Sequence, residues 1–69
     1  MIKEKQKKKF LIPFENKWAI VDEDRIEPSF LYHDKKEAFE KAVEIARAQQ
    51  AILVINRTDG TKQDVLYYN

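Results

Sequence analysis

The side chains of this sequence that could do covalent chemistry are few and poorly spaced for it. A hydrolytic site needs a hydroxyl nucleophile within hydrogen-bond reach of a base, and the chain has one histidine and no cysteine. Ser29 lies four residues before His33 on a predicted strand, which separates the two by about 13 Å of strand rise. Thr58 and Thr61 belong to a predicted turn, where hydroxyl groups ordinarily bond to the local backbone. We therefore predict that the protein is not an enzyme.

Sites for metal ions and phosphate-bearing cofactors are also missing from the pattern. One histidine without cysteine is too little for a zinc site. Asp22, Glu23, Asp24 and Glu27 concentrate carboxylates, but they lack the spaced oxygen ligands and the glycine turn of a calcium loop, so we predict a solvated hairpin tip. A chain whose one glycine is Gly60 cannot form a glycine-rich phosphate loop. No cofactor, metal or small-molecule substrate is expected.

Charge is distributed unevenly along the chain. Residues 1–9 hold five lysines and one glutamate, a net charge of +4, which leaves −3 for the rest of a chain whose total is +1. A body of that sign repels phosphate, so nucleic-acid contacts would be confined to the basic arm and the last hairpin. The candidate contacts are Lys3, Lys5, Lys7, Lys8, Lys9, Arg57 and Lys62. The other interpretation is an arm that is only a solvated tail.

The sequence predicts neither membrane insertion nor secretion. No apolar run approaches the length of about 18 residues that a membrane-spanning helix needs. The basic start is followed by only three apolar residues before Pro13, which is too short for the core of a signal peptide. The absence of cysteine fits a reducing compartment. We therefore expect a cytoplasmic protein.

Three strands are predicted before the helix. Phe10 to Phe14 is interpreted as an edge strand, or as the lead-in to one, because Pro13 cannot donate to a hydrogen-bond ladder. Lys17 to Val21 is the clearest of the three, since its apolar residues occupy both faces of a short extended segment. Ile26 to Tyr32 is the third strand, and Pro28 within it again favours an edge or a bulge.

One helix is predicted from Lys35 to about Gln49. Asp34 can accept from the backbone N–H groups of the first turn, and Glu37 three residues later completes a capping-box pattern. The apolar residues recur at i, i+3, i+4 and i+7, which is typical of an amphipathic helix. The alanines among them let the helix lie close to a sheet, with Phe39 and Ile45 as the expected anchors. The apolar side contains Ala38, Phe39, Ala42, Val43, Ile45 and Ala46.

Two more strands follow the helix, and together the elements predict one α+β domain. Ala51 to Ile55 and Lys62 to Tyr68 are joined by a turn at Asp59-Gly60, where glycine takes a positive φ without steric cost. The predicted fold is an antiparallel sheet of four to five strands with one helix packed on one face. Residues 1–9 are predicted to be a flexible arm, and residues 10–69 the single domain.

The strand from Ala51 to Ile55 is apolar on both of its faces. A strand covered on one face alternates apolar and polar residues, and a single helix can cover only one face of a sheet. We therefore predict a homodimer that covers the far face, with an alternative in which Phe10, Leu11 and Ile12 of the same chain cover it. Aromatic residues dominate binding hot spots. The candidate interface residues are accordingly Trp18, Tyr32, Tyr67 and Tyr68.

Several short segments together form a recognisable pattern. They are Ile12-Pro13, Lys17-Trp18-Ala19-Ile20, His33-Asp34-Lys35-Lys36-Glu37-Ala38, Ala42 with Ile45-Ala46, and Leu53-Val54-Ile55-Asn56-Arg57-Thr58-Asp59-Gly60. This pattern resembles that of a small prokaryotic family, the domain of unknown function 2188, and the resemblance runs over roughly residues 10–68. It implies a compact, strand-rich α+β module from bacteria or their phages, and it implies no activity.

Three positions depart from the family pattern. Lys17 stands where glycine is usual before the tryptophan, and Lys35 stands where threonine is usual after the capping aspartate. Asn56 replaces the histidine that often ends the third main strand. A family function that depended on that histidine would be absent from this member.

Two functions remain after these exclusions. The first is a dimeric protein-interaction or regulatory module that uses the sheet face without a helix. The second is a nucleic-acid-binding accessory protein, in which the arm contacts phosphates while sheet aromatics, Arg57 or Lys62 contact bases.

Overall fold

A five-stranded sheet carries a single helix on one of its faces. The computed structural model describes residues 6–25 and 27–68. The elements in chain order are β1 (Lys8–Phe14), β2 (Lys17–Asp22), β3 (Phe30–Tyr32), α1 (Lys35–Gln49), β4 (Ile52–Asn56) and β5 (Lys62–Tyr67). The predicted α+β class and the predicted bounds of the helix are confirmed. The strand predicted to begin at Ile26 is shorter than expected, and Ile26 itself lies outside the described residues.

The sheet is mixed, whereas the sequence led us to expect a wholly antiparallel one. The strand order is β3-β2-β1-β4-β5. Every neighbouring pair is antiparallel except β1 and β4, which are parallel, with Lys8 opposite Ile52 and Leu11 opposite Ile55. The parallel pair arises because the chain leaves β3 at one edge and returns through α1 to the far side of β1. A connection of this length is what parallel neighbours require.

β1 lies at the centre of the sheet, so its prediction as an edge strand is wrong. The Ile52 N–H donates to the Lys7 carbonyl at 2.8 Å, and the odd-numbered residues of β1 therefore direct their backbone groups toward β4. Pro13 shares this orientation, but the pairing with β4 ends at Leu11. The N–H that Pro13 lacks would face a position where β4 makes no pair, which is why the sheet tolerates proline here.

Both ends of the helix are capped, by Asp34 at the N-terminus and by Gln50 at the C-terminus. Asp34 has an extended backbone, and its carboxylate accepts from the Lys36 N–H at 3.4 Å. Gln50 adopts a left-handed conformation with φ of 53° and donates its N–H to the carbonyls of Ala46 and Arg47. These contacts satisfy backbone groups that the helix termini would otherwise leave unpaired.

The core lies between α1 and one face of the sheet. Ala38, Ala42 and Ala46 are fully buried on the helix, so the backbone of the helix approaches the sheet closely. Phe39 and Ile45, the expected anchors, are only half-buried and pack at the margin of this cluster. The sheet contributes Leu11, Trp18, Ile20, Leu53 and Ile55.

Candidate functional site

The sheet face opposite the helix is apolar, and no helix among the described residues packs on it. Residues directly opposite each other on neighbouring strands share a face, and Phe10 stands opposite both Val21 and Val54. Tyr67 is 67% exposed, Leu31 47% and Phe14 37%. Contiguous apolar surface of this kind marks interaction sites in soluble proteins. We call it the open face; its apolar members are Phe10, Ile12, Phe14, Ala19, Val21, Leu31, Ile52, Val54, Val65 and Tyr67. Of these, Ala19 is fully buried.

The N-terminal segment belongs to the sheet and does not cover its far face. Leu11 points into the core and is fully buried. Phe10 and Ile12 point to the other side, where they enlarge the open face. The alternative in which these three residues close the far face of a monomer is therefore wrong, because the segment pairs as β1 between β2 and β4.

The four predicted interface aromatics are divided between the two faces. Trp18 is 9% exposed and stands opposite Tyr32, and both rings pack on the side that carries the helix. The Lys35 ammonium lies 4.7 Å from the centroid of the Trp18 ring. Tyr68 packs against the same core. Tyr67 is the member of this group that lies on the open face.

Most residues of the open face were not predicted as interface residues. Phe10, Ile12 and Phe14 recur with a period of two, which is the pattern of a strand with one apolar face. That signal was present in the sequence, but Pro13 led us to interpret the segment as a sheet edge. Phe10 and Ile12 were considered only as residues that cover the far face of a monomer, and Phe14 was not among the predicted interface residues.

The margin of the open face is positively charged. Lys8 stands opposite Ile52, Lys17 opposite Phe14 and Lys62 opposite Asn56, which places the three lysines on this side of the sheet. The strand carboxylates of Asp22 and Asp64 stand opposite Lys9 and Ile55 on the helix side. Among the described strand residues, the open face therefore carries lysines without a balancing carboxylate.

The predicted nucleic-acid contacts do not form one patch. Lys3 and Lys5 lie outside the described residues. Lys7 is exposed, and Lys8 lies at the margin of the open face. The Arg57 guanidinium donates to the Lys62 carbonyl at 2.9 Å, at the opposite end of the sheet.

Lys9 is separated from the other lysines by its burial. β1 begins at Lys8, so Lys9 is part of a strand and not of a flexible arm. Its ammonium forms an ion pair with Asp22 on the neighbouring strand at 2.5 Å, and its side chain is 7% exposed. A buried lysine with a carboxylate partner stabilises one register of β1 on β2 and is not accessible to a phosphate.

Replacing Asp22 by alanine is expected to lower the free energy of unfolding by about 2 kcal/mol, since breaking a buried pair leaves an unpaired buried charge. The effect is below that of a fully enclosed pair because the Asp22 side chain is 24% exposed. Urea denaturation measures the loss, and adding Lys9→Met should recover part of it. The control is Glu44→Ala, which breaks the exposed pair with Lys41 and should cost less than about 0.5 kcal/mol. Equal losses in the two alanine variants would contradict the prediction.

The turn between β4 and β5 is held by its own side chains. The Asp59 carboxylate accepts from the Thr61 hydroxyl at 2.6 Å and from the Thr61 N–H at 2.9 Å. These bonds hold the pKa of Asp59 below its usual value. Gly60 takes a φ of 86°, as expected of glycine in this turn. The Thr61 hydroxyl is therefore used locally, in the way the sequence predicts for a turn.

Within residues 6–25 and 27–68, no group of three or more histidine, cysteine, aspartate or glutamate side chains could hold a metal ion. In the same ranges, no helix has the length and apolar character needed to cross a membrane.

The comparisons with known proteins point to one family. A family model described as an uncharacterized protein conserved in bacteria, DUF2188, matches residues 10–68. The match begins within β1 and extends past β5, so it covers β1 from Phe10 onward and every later element of the fold in full. No curated protein and no solved structure matches the chain. The resemblance seen in the motifs is thereby confirmed, and the chain belongs to the DUF2188 family of uncharacterized proteins conserved in bacteria.

Proposed function

We propose that the protein is a non-enzymatic protein-interaction module that works as a homodimer, with the open face as its contact surface. The observation that supports this is the apolar character of most of the sheet face opposite the helix, with Tyr67 and Leu31 among its exposed members. Two sheets that pack face to face lie about 10 Å apart and bury such surfaces in a common core. A second copy brings a surface of the same shape and chemistry.

The size of the domain favours self-association. A chain of 69 residues buries only about 60% of the surface that it exposes when unfolded. Covering apolar surface contributes roughly 25 cal/mol per Å². The half-buried side chains Ile12, Val21 and Val54 occupy the centre of the open face, and a partner sheet would remove them from water. Dimerisation therefore adds the burial that a small domain lacks.

The dimer is tested by sedimentation velocity over a range of protein concentrations. Leu31→Glu and Tyr67→Glu each place a charge on the open face at a side chain that is 47% or 67% exposed, so the monomer fold should be retained. We expect each variant to raise the dimer dissociation constant at least about thirtyfold, which corresponds to 2 kcal/mol.

The matched control places the same charge on the outer side of α1. Ala48 is exposed there, and Ala48→Glu should leave both the fold and the dissociation constant unchanged. Circular dichroism confirms folding of every variant. A wild-type chain that sediments as a monomer at all concentrations up to about 1 mM, where binding free energies fall to about 4 kcal/mol, would contradict the proposal.

A second candidate function is a nucleic-acid-binding accessory protein. The lysines at the margin of the open face, Lys8, Lys17 and Lys62, favour it. The centre of the face argues against it, because single strands stack on aromatic rings and the middle of this sheet is mainly aliphatic. Binding that weakens steeply with salt and is lost when residues 1–7 are removed would support this function. That truncation leaves β1 intact, and absence of binding at low salt would contradict the function.

A further inference from the structure

β5 presents unpaired backbone groups at one edge of the sheet. The Tyr68 N–H donates to the Ala51 carbonyl at 3.2 Å, so the residues of β5 that share the orientation of Tyr68 direct their backbone groups toward β4. Val65 and Tyr67 have the opposite orientation, as expected for the non-hydrogen-bonded positions of an antiparallel pair. Their N–H and C=O groups therefore point to the outer edge. A strand edge of this kind is a template for pairing with another chain.

Asp64 occupies one of the two outward donors. The Val65 N–H donates to the Asp64 carboxylate at 2.8 Å. The carboxylate oxygen thus takes the role that the carbonyl of an added strand would have. A register shift between Ile55 and Asn56 disturbs the same strand pair next to Asp64. Charged side chains and bulges are the features with which natural sheets block edge-to-edge pairing.

The edge is complementary to a second copy of itself. In an antiparallel pair centred on Leu66, Val65 of each chain lies opposite Tyr67 of the other, and these are the residues with outward backbone groups. The two Val65–Tyr67 pairs would together form four N–H···O bonds, and each of the two pairs would also bring an aromatic side chain against a β-branched one. Asp64 would lie opposite Tyr68 of the second copy, whose hydroxyl can donate to the released carboxylate. No like charges meet between residues 64 and 68.

An apolar groove lies beside the β5 edge, on the side of the sheet that carries the helix, and a second copy paired along β5 would cover it. The backbone of the helix lies close to β1, β2, β3 and β4 but not to β5, which the helix reaches through the Lys35–Gln63 hydrogen bond of 2.7 Å. A groove of about 480 Å³ therefore opens between α1 and β5, and its apolar lining is formed by Phe39, Ile55 and Leu66. In the pairing about Leu66, the two leucine side chains meet at the two-fold axis and the grooves of the two copies join.

We propose that β5 is a self-pairing edge that Asp64 keeps closed. The Asp64 carboxylate occupies the Val65 N–H in the single chain, and loss of that bond lets two copies pair antiparallel about Leu66. The contact differs from the open face, since it uses the backbone of β5 and the groove side of the sheet. Pairing extends the two sheets into one of ten strands, with both open faces on the same side.

The test compares the wild-type chain with Asp64→Ala at equal concentration. We expect the sedimentation mass of the variant to be twice that of the wild type. Hydrogen exchange at the Tyr67 N–H, which has no strand partner in the single chain, should slow at least about tenfold. In a Val65→Pro background, which lacks the edge donor, Asp64→Ala should change neither the mass nor the exchange rate. Val65 also belongs to the open face, so the reference for this double variant is Val65→Pro alone.

The control for charge is Glu40→Ala, which removes an exposed carboxylate from the helix and should change neither quantity. Should Asp64→Ala fail to fold by circular dichroism, Asp64→Val carries the same test with a strong strand former. A variant with the wild-type mass and fast Tyr67 exchange overturns the proposal. An increase in mass on adding Asp64→Ala to Val65→Pro, or an increase that leaves Tyr67 exchange fast, also overturns it. Each effect of Asp64→Ala is measured against a chain that differs from it only at position 64, so the test stands whether or not the open face dimerises.

Discussion

Replacing Leu53 by aspartate is expected to abolish folding, while the same replacement at the adjacent Val54 is expected to leave a folded chain. Leu53 is fully buried between the sheet and the helix. A carboxyl group placed there without partners costs several kcal/mol, which is comparable to the whole stability of a small domain. Val54 lies on the open face and is half-buried, so a carboxylate at this position reaches water in the monomer.

Circular dichroism during heating distinguishes the two variants. Leu53→Asp should show no cooperative transition, and Val54→Asp should melt cooperatively at a lower temperature than the wild type. Val54→Asn serves as a control, since asparagine has the shape of aspartate without its charge. The asparagine variant should melt at a higher temperature than Val54→Asp. If both aspartate variants unfolded alike, the open face would have to be covered within the single chain.

Replacing Ala42 by leucine is expected to destabilise the protein by about 3 kcal/mol, at the upper end of the range for overpacked cores. Ala42 is fully buried between two other buried alanines on the same side of α1. Three added carbons have no space unless the helix moves away from the sheet, and that movement would weaken the packing of Ala38 and Ala46 as well. Leucine and alanine have similar helix propensity, so the loss reports on packing.

The same substitution at Ala48 is the matched control. Ala48 is exposed near the end of the helix, and Ala48→Leu should change the free energy of unfolding by no more than about 0.5 kcal/mol. Urea denaturation measures both effects, provided that the slope of the unfolding free energy against urea concentration is the same in each variant. A stable Ala42→Leu variant would mean that the helix does not lie close to the sheet, and it would remove the reason for alanine at these positions.

The local elements were predictable because their signals lie within a few residues of one another. Asp34 and the spacing of the apolar residues after it were sufficient to place the helix at its observed bounds. The turn at Asp59-Gly60 was equally local. The family motifs pointed to DUF2188, and the match over residues 10–68 confirms that assignment.

The candidate site was predictable only in part. Apolar residues on both sides of β4 indicated that one face of the sheet would lack a helix, and the open face is that surface. Its membership was predicted poorly: Tyr67 was included, but Trp18 and Tyr32 proved to lie beneath the helix. An aromatic residue is typical of both a core and an interface, so residue type could not decide between them.

What the sequence determined by itself is the set of elements and, within each strand, which side chains share a face. Both follow from the fixed periods of strand and helix. What only the tertiary structure decided is the order of the strands and the face that the helix covers. Those depend on contacts between distant segments, such as the parallel pairing of Lys8 with Ile52. The alternation of side chains along one strand does not determine which strand pairs with it. The central position of β1 and the set of residues on the open face therefore follow from the pairing of the strands.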